Sequence, residues 1–431
     1  MAQELSPEAA ADLVRDRDVL AFPLGPGQPM TFLHALSARE SFDYLRIGGA
    51  LALDLYPLFL RPGVQYRSGF FALGERVIAD QGGDVEYVPA DFRRFGPILE
   101  QENPRIMTTV ATLPDAEGWM SLSLHAGASV DEIHRAGADP DRILLVEVND
   151  RFPRTFGVPP AYNHAVHIDE VDVIVHGDRP PFVLPDNEPS PVDRAIAETV
   201  ARFVHDGSTL QTGIGGIPSA VARVLAEGDG GDYGVHSEMF TTGLMHLHQA
   251  GKVTNARKGQ FEGMSITTFA LGTDALYEWI DNNDAVRFLP VSMVNDPVII
   301  GRNHNVVAIN GALMVDLYGQ VVADVRNGQQ FSGVGGHEDF VAVAGQQLED
   351  RSLICMPSTA NHNAAQVSRI VAQLPAGSVV TTPRHQVDVV VTEFGAAELR
   401  GGTVRERARA LAAIAHPDCR AELDEAAARM R

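Results

Sequence analysis

The chain has 431 residues, of which 45% are hydrophobic and 21% are charged, a composition typical of a folded globular protein. The formal net charge of −22 opposes binding to nucleic acid and to anionic lipid, and no apolar run approaches the roughly 20 residues that a membrane helix needs. We therefore expect no nucleic-acid partner and no membrane partner.

Short apolar runs rich in β-branched residues alternate with helical patterns along the chain. The predicted strands are residues 142–148, 171–176, 208–212, 287–294, 305–310 and 386–392. The clearest predicted helices are residues 192–205, 218–227 and 403–431. This alternation predicts α/β sheets with buried parallel strands. The longer segment 305–325 also indicates a hairpin that turns near Tyr318 and Gly319.

Five prolines and several acids interrupt the pattern at residues 178–191, which favours a domain boundary there. Residues 18–39 and 206–227 share a layout of strand, glycine-proline loop and helix, which favours two related halves, each an open, doubly wound α/β domain. We predict an N-terminal domain, a linker and a C-terminal domain at residues 1–180, 181–191 and 192–431.

A glycine-rich loop in residues 209–221 places Gly213, Gly215 and Gly216 between a predicted strand and the start of a helix. Glycine lets the backbone approach a ligand closely, and a helix N-terminus offers N–H groups to an anion. The loop could cradle a phosphate or an oxyanion, or it could be a simple tight turn. Pro218 stands where a dinucleotide-binding fingerprint needs glycine, which disfavours that interpretation.

A second loop, QQFSGVGGHEDF at residues 329–340, repeats this pattern with Gly333, Gly335 and Gly336. Two such loops in one domain favour a single pocket that is lined with backbone donors. A glycine-rich surface loop is the alternative interpretation.

Glu238 follows a short apolar stretch and precedes a predicted helix, with Val235, Met239 and Phe240 as apolar neighbours. These neighbours predict partial burial, which leaves a carboxylate poorly solvated and more nucleophilic. An acid that stabilises a helix start is the alternative, and the local pattern alone favours it.

The histidines and cysteines indicate neither a metal site nor a thiol nucleophile. His246 and His248 would point to different faces of a helix, and no H-E-x-x-H motif is present. Cys355 and Cys419 cannot form a disulfide framework, and the acidic start of the chain has no basic n-region. These features predict a cytoplasmic protein.

Several long motifs occur in a fixed order along the chain. They are DGSTLQTGIGGIPSAV, GVHSEMFTTG, GKVTNARKG, VNDPVIIGRNHNVVAINGALMVDLYGQVVAD, FSGVGGHEDF and VVTTPRHQVDVVVTEFGAAELRG. Together they resemble the acetyl-CoA hydrolase/transferase family, which includes 4-hydroxybutyrate and acetate CoA-transferases. The N-terminal half adds VEVNDRFPRTFG and HAVHIDEVDVIVHGD, so the resemblance covers nearly the whole chain.

The resemblance implies a CoA-transferase with two open α/β domains and an active site in the cleft between them. The nucleophile of the family lies in an H-[ST]-E-M motif, which makes Glu238 the catalytic residue here. The family's CoA-contacting loops correspond to Gly213, Ile214, Gly215, Gly216, Ile217, Ser332 and Gly336. On charge alone we add Arg257 and Lys258, one of only two lysines in the chain, as contacts for the CoA phosphates.

The implied reaction exchanges CoA between an acyl-CoA and a small carboxylic acid through glutamyl-anhydride and glutamyl-CoA thioester intermediates. Coenzyme A and acyl-CoA are then substrates, with no tightly bound cofactor and no metal, and a homodimer or larger homo-oligomer is expected. An acyl-CoA hydrolase that uses the same residues and a non-catalytic CoA-binding protein are the alternatives.

Overall fold

The computed structural model describes residues 2–343, 346–362 and 365–430, which form two compact units. The first unit is formed by the residues up to Pro185 together with Ile266–Val294. The second unit is formed by Asp186–Ser265 and the residues from Asn295 onward. The division after Pro185 falls inside the predicted linker, but residues 266–294 were assigned by the prediction to the C-terminal domain.

Hydrogen bonds explain why residues 266–294 belong to the first unit. The backbone N–H of Ala126 donates to the carbonyl oxygen of Thr268 at 2.7 Å. The hydroxyl of Tyr277 donates to the carbonyl oxygen of Phe182 at 2.7 Å. Such contacts join positions far apart in the chain, and no local sequence pattern reports them.

The elements of the N-terminal part alternate between strands and helices. The strands are β1 (Gln3–Leu5), β2 (Arg17–Ala21), β3 (Tyr44–Gly49), β4 (Val64–Ser68), β5 (Asp84–Tyr87), β6 (Ile106–Ala111), β7 (Trp119–Ser121), β8 (Ile143–Val148), β9 (Ala165–His167) and β10 (Val173–His176). The helices are α1 (Pro7–Ala11), α2 (Met30–Leu36), α3 (Leu73–Asp80), α4 (Phe95–Glu102) and α5 (Val130–Ala138).

Eight of these strands form one sheet in the order β1-β10-β8-β6-β2-β3-β4-β5, and every neighbouring pair is parallel. The central strand β6 is buried at every residue, as expected for a strand that is covered on both faces. Aromatic side chains fill one side of this core, where the rings of Phe59 and Tyr66 stack with centroids 4.4 Å apart.

The remaining elements follow in chain order. The strands are β11 (Thr209–Thr212), β12 (Gly234–Val235), β13 (Met239–Phe240), β14 (Ser265–Thr267), β15 (Phe269–Ala270), β16 (Val286–Phe288), β17 (Val306–Gly311), β18 (Met314–Asp316), β19 (Val321–Val322), β20 (Val325–Arg326), β21 (Gln329–Gln330), β22 (Arg351–Cys355), β23 (Thr359–His362), β24 (Ala365–Ser368), β25 (Ile370–Val371), β26 (Val389–Thr392) and β27 (Gly395–Glu398). The helices are α6 (Pro191–Ala201), α7 (Gly216–Glu227), α8 (Thr242–Gln249), α9 (Asp274–Ile280), α10 (Val291–Val294), α11 (Pro297–Ile300), α12 (His337–Val341), α13 (Val404–Ala413) and α14 (Pro417–Arg429).

The main sheet of the second unit has the order β12-β11-β17-β22-β26-β27. All neighbouring pairs are parallel except the antiparallel pair of β26 and β27 at one edge. Helices α13 and α14 contribute Leu411 and Leu423 to a buried core with Val390 of β26. The predicted α/β class with parallel sheets is confirmed. No helix within the described ranges is long and apolar enough to cross a membrane.

Most of the predicted strands are confirmed, as β8, β10, β11, β17 and β26. The shared layout at residues 18–39 and 206–227 is also confirmed, since β2 leads to α2 and β11 leads to α7. The strand predicted at 287–294 is wrong in its second half. There Pro290 accepts backbone hydrogen bonds from Met293 and Val294 and begins the short helix α10.

The hairpin predicted across residues 305–325 is shorter than expected. Its first part, β17, pairs in parallel with β11 and β22 inside the sheet. Only β18 and β19 form an antiparallel pair, which turns at Gly319 with φ = 88°. The side chain of Asp316 fixes this turn by accepting hydrogen bonds from the N–H groups of Tyr318 and Gln320.

Candidate active site

The strand order of the second sheet reverses between β11 and β17. The strand that follows β11, β12, lies on one side of this pair, and the strand that follows β17 in the sheet, β22, lies on the other. Such a switch in an open parallel sheet leaves a crevice at the carboxyl ends of the two strands, where ligands commonly bind. The loop of residues 213–217 follows β11 at this edge, and Gly215 adopts φ = 113°, which favours glycine.

A cavity of about 270 Å³ opens at this edge, and we call it the glycine-loop pocket. Its lining includes Gly213, Ile214, Gly215, Gly216, Ile217, Gly311 after β17, Met356 after β22, Arg369 and Asp193. A methyl group on Gly213, Gly215 or Gly311 would meet nothing within 4 Å. The space in front of this backbone is therefore open to a ligand, which favours the cradle over a simple tight turn.

Glu238 follows β12, which is parallel to β11, so it lies at the same carboxyl edge of the sheet. Its neighbour Ser237 anchors the segment to the end of β11: Oγ donates to the carbonyl of Thr212 at 3.1 Å and accepts from its N–H at 3.3 Å. Helix α8 begins only at Thr242, with Thr241 as its N-cap. The interpretation of Glu238 as a helix-start acid is therefore wrong.

The carboxylate of Glu238 is partly buried and is held by two donors. Asn295 Nδ2 donates to Oε2 at 2.6 Å, and the backbone N–H of Gly336 also donates to the carboxylate. A methyl group on Gly336 would lie 1.8 Å from Oε2, so this approach requires glycine. Burial raises the pKa of Glu238 to about 7; the charge of Asp339 adds to the rise, while the two donors oppose it.

Asn295 and Asp339 complete this cluster, although neither was among the predicted site residues. Asp339, in α12, accepts a hydrogen bond from Asn295 Nδ2 at 3.1 Å, and both side chains are buried. One amide nitrogen thus serves two carboxylates, which fixes the NH₂ group of Asn295 toward Glu238. Asp339 lies in the predicted second loop beside Gly336, a usable signal, whereas Asn295 is 57 residues from Glu238 and carries none.

Gly336 is therefore brought to Glu238, as expected for a loop that offers backbone donors. Ser332 lies in the preceding turn, where its backbone N–H donates to the carbonyl of Asp324 at 3.0 Å. Its contact with CoA stays a prediction.

Lys258 does not occupy the position that was predicted for it. Its side chain is fully buried, and Nζ donates to the carbonyl oxygens of Val235 and Met264, each at 2.8 Å. Burial holds the pKa of its amine well below the usual range. A buried amine that is engaged by two carbonyls cannot reach the phosphates of a bound ligand, so the predicted phosphate contact by Lys258 is wrong. Arg257 is exposed and forms an ion pair with Asp232 at 3.6 Å, so its contact stays a prediction.

The histidines and the cysteine that were considered for metal or thiol chemistry lie in settings that do not suit such chemistry. His246 and His248 both lie in α8, and His248 Nε2 hydrogen-bonds Ser265 Oγ at 2.8 Å. No group of three or more His, Cys, Asp or Glu side chains that could hold a metal ion occurs in the described part of the chain. Burial raises the pKa of Cys355 to about 12, which leaves its thiol protonated at neutral pH.

The arrangement at Glu238 suits acyl-group chemistry. A carboxylate with a raised pKa is a better nucleophile than a solvated one. The donors from Asn295 and Gly336 are fixed in place, and the same groups can stabilise negative charge on the Glu238 carbonyl oxygen when that carbonyl is itself attacked.

Comparison with solved structures places this fold in a known class. The crystal structure of RipA from Yersinia pestis matches with a TM-score of 0.90 at 33% sequence identity, over 99% of this chain and 97% of that chain. The α/β fold described above is the fold of RipA along nearly its whole length.

Sequence relatives then define the family. The family model described as the acetyl-CoA hydrolase/transferase C-terminal domain matches residues 272–427. The succinyl-CoA:cyclohexane-1-carboxylate CoA transferase of Geobacter metallireducens is 38% identical over 429 residues, 99% of this chain and 95% of that protein. The 4-hydroxybutyrate coenzyme A transferase of Clostridium kluyveri is 34% identical over 424 residues, 96% of this chain and 95% of that protein. The chain belongs to the acetyl-CoA hydrolase/transferase family.

Proposed function

We propose that this protein is a CoA transferase that exchanges CoA between an acyl-CoA and a small free carboxylate of the acetate, butyrate or 4-hydroxybutyrate type. The names of both relatives support this class of reaction. The observation that carries the proposal is the environment of Glu238, a partly buried carboxylate with a pKa raised to about 7 and held by Asn295 and Gly336.

The reaction begins when a carboxylate oxygen of Glu238 attacks the carbonyl carbon of the thioester. The carbon–sulfur bond breaks, CoA leaves as a thiolate, and an acyl-glutamyl anhydride forms. The thiolate then attacks the side-chain carbonyl carbon of Glu238, which releases the first carboxylate and leaves a glutamyl-CoA thioester. A second carboxylate reverses these two steps and leaves as its CoA ester. Because anhydride and thioester are both reactive, the activation of the acyl group is retained.

Asn295 and Gly336 have a defined part in this sequence. Each attack on the side-chain carbonyl of Glu238 places negative charge on its oxygen, where Asn295 Nδ2 and the Gly336 N–H already point. Loss of one such preorganised donor typically costs about 3 to 4 kcal/mol of transition-state stabilisation. Water must be kept from both intermediates, because hydrolysis would turn exchange into thioester cleavage.

The raised pKa of Glu238 gives the proposal a pH signature. Glu238 attacks only when it is ionised, so kcat/KM for the acyl-CoA should rise with pH and level off above about 7. Below that pKa it should fall about tenfold for each pH unit, since the ionised fraction of Glu238 shrinks by that factor. Initial rates measured between weakly acidic and weakly basic pH test this; a flat profile through neutral pH would contradict the assignment.

Trapping the intermediate tests the proposal directly. The protein is incubated with acetyl-CoA, treated with borohydride to reduce a glutamyl-CoA thioester to the alcohol, and digested for mass spectrometry. We expect the modification at Glu238 and its absence in the Glu238→Gln variant. An unmodified Glu238 in an active protein would overturn the mechanism.

A carboxylate-dependence assay separates the proposal from its alternatives. A transferase forms a new acyl-CoA only when a second carboxylate is added. Release of free CoA from acetyl-CoA alone would indicate a hydrolase, and neither product would indicate a non-catalytic CoA-binding protein.

A further inference from the structure

Two adjacent threonines, Thr381 and Thr382, lie beside the second glycine-rich loop, residues 329–340, and we call them the threonine pair. They belong to the motif VVTTPRHQVDVVVTEFGAAELRG, and they have no part in the mechanism proposed above. The backbone of Thr382 exchanges two hydrogen bonds with that of Val321 in β19, at 3.0 and 3.2 Å. Because Val321 is fully buried in the hydrophobic core of the second unit, the threonine pair stands on a rigid support.

Thr382 holds the end of the loop where α12 begins. Its hydroxyl Oγ1 donates to Glu338 Oε1, and His337 Nε2 lies 2.9 Å from the same oxygen. Burial lowers the pKa of His337 to about 4, so its ring is neutral at neutral pH. Because the hydroxyl hydrogen is used on Glu338, Nε2 carries the hydrogen of the ring and donates it to Oγ1. One buried hydroxyl thus binds two consecutive residues of α12.

Thr381 holds the other end of the same loop. Its Oγ1 donates to Asp324 Oδ1 at 2.5 Å and accepts from the backbone N–H of Ala323 at 2.8 Å. The carbonyl oxygen of Asp324 in turn accepts from the N–H groups of Phe331 and Ser332, at 2.8 and 3.0 Å. Thr381 therefore fixes the residue to which the start of the loop is bonded.

Helix α12 connects the threonine pair to the nucleophile. Gly336 is the N-cap of α12, and its backbone N–H donates to the Glu238 carboxylate. The helix has five residues, too few to be stable alone, so its orientation depends on the contacts that it makes. Two of its residues are bonded to Thr382, while Asp339 accepts from Asn295, the other donor at Glu238. A rotation of α12 away from Thr382 would therefore disturb both donors of the carboxylate.

We propose that the threonine pair positions the second glycine-rich loop for the reaction: Thr382 directs the Gly336 N–H toward Glu238, and Thr381 fixes the start of the loop. The threonines act through the loop and not on the reacting atoms, so they are positioning residues. The inference rests on the proposed function for its kinetic consequences, whereas the anchoring of the loop can be measured without catalysis.

Thr382→Val tests the proposal, because valine keeps the size of the side chain and removes the hydroxyl. We expect kcat to fall about tenfold to 100-fold with little change in KM for the acyl-CoA, the usual result when a group that acts in the transition state is displaced. Thr382→Ser keeps the hydroxyl and should recover most of the activity. Thr381→Val should lower kcat less than Thr382→Val, because its contacts lie at the end of the loop remote from Gly336.

The pH profile of Thr382→Val gives a readout that a general loss of stability would not move. The Gly336 N–H lowers the pKa of Glu238, so a weakened hydrogen bond lets this pKa rise above about 7. The acidic limb of kcat/KM should then move to higher pH by about one unit, as expected for loss of a hydrogen bond to a charged group. The charge of Asp339 acts on Glu238 and that of Asp324 acts on His337, and the variant keeps both acids.

Thr392→Val is the matched control. Thr392 is as fully buried as Thr382 and lies in the same unit, where its Oγ1 donates to the carbonyl oxygen of Ile414 at 2.7 Å. Its loss should lower the melting temperature but leave kcat and the acidic limb in place. Equal losses of kcat in Thr392→Val and Thr382→Val, or wild-type kcat and an unmoved limb in Thr382→Val, would overturn the proposal.

Hydrogen exchange followed by mass spectrometry measures the anchoring of residues 329–340 without any catalytic step. We expect faster exchange there in Thr382→Val than in the wild type, and no such change in Thr392→Val. Faster exchange in a protein that transfers no CoA would keep the anchoring by Thr382 and refute the transferase. An active transferase in which Thr382→Val changes neither loop exchange, kcat nor the acidic limb would keep the transferase and refute the threonine pair.

Discussion

The two glycine-rich loops of the second unit have similar sequences but different surroundings. A methyl group on Gly213 or Gly215 would meet nothing within 4 Å, whereas on Gly336 it would lie 1.8 Å from Glu238 Oε2 and 2.2 Å from Asn295 Nδ2. In the first loop glycine leaves room for a ligand, and in the second it makes room for a carboxylate of the protein itself. Glycine therefore has a different steric role in each loop, and single alanine substitutions can distinguish the two roles.

Gly336→Ala should have the largest effect. The added methyl group would lie 1.8 Å from Glu238 Oε2, so the carboxylate of Glu238 must move away from its donors. We expect kcat to fall about 100-fold or more, because such displacements of reacting groups are costly. Circular dichroism should show an intact fold, and near-normal kcat would mean that the loop relaxes without disturbing Glu238.

Asn295→Ala removes one of the two donors at Glu238. It tests whether the Gly336 N–H of the second loop is sufficient without the Asn295 amide. We expect kcat to fall about 100-fold with little change in KM for the acyl-CoA, the pattern for an interaction made in the transition state. Asn187→Ala, at an exposed position of the same unit, is the control and should behave as the wild type. A loss confined to KM would instead indicate a role in substrate binding.

Asp339→Asn should change the pH dependence more than the rate. Loss of the nearby negative charge lowers the pKa of Glu238, and we expect the acidic limb of the kcat/KM profile to move down by about one pH unit. The plateau should change little, because the amide oxygen of the new side chain can still accept the hydrogen bond from Asn295 Nδ2. Asp229→Asn, at an exposed acid, should leave the profile in place, and an unshifted limb in Asp339→Asn would remove Asp339 from the account.

Gly213→Ala should have the smallest effect and completes the contrast. Its methyl group enters open space, so the fold and Glu238 should be undisturbed. We expect kcat to stay within about twofold and KM for the acyl-CoA to rise about tenfold, the lower end of the range for one methyl group in a binding pocket. If kcat falls as far as in Gly336→Ala, the two loops share one role and the comparison fails.

The parts of the fold that could be predicted are those that local patterns determine. Short apolar runs rich in β-branched residues correctly predicted β8 and β26, because parallel strands that are covered on both faces favour apolar side chains along their length. Pro218 fitted the first turn of α7, where a missing N–H is tolerated. The run at 287–294 failed because Pro290 begins a helical turn within an apolar stretch.

The candidate site was predictable only in part, for a related reason. Glu238 and Gly336 stand in recognisable motifs, and the structure brings them together. Asn295 precedes an Asp-Pro helix start that looks like an ordinary cap, and its contact with Glu238 depends on how distant segments pack. The prediction for Lys258 was wrong because the charge of a residue does not reveal whether its side chain is buried. Two carbonyl acceptors make the burial of this amine possible.

The burial of Lys258 gives the protein an internal reporter. The chain contains only two lysines, and an amine-reactive reagent should label Lys252 readily while Lys258 stays protected. Because Lys258 donates a hydrogen bond to the carbonyl oxygen of Val235, three residues before Glu238, we expect it to become reactive only when that segment opens. The labelling rate of this one amine would thus report the free energy of local opening of the segment that carries Glu238, without an engineered probe residue.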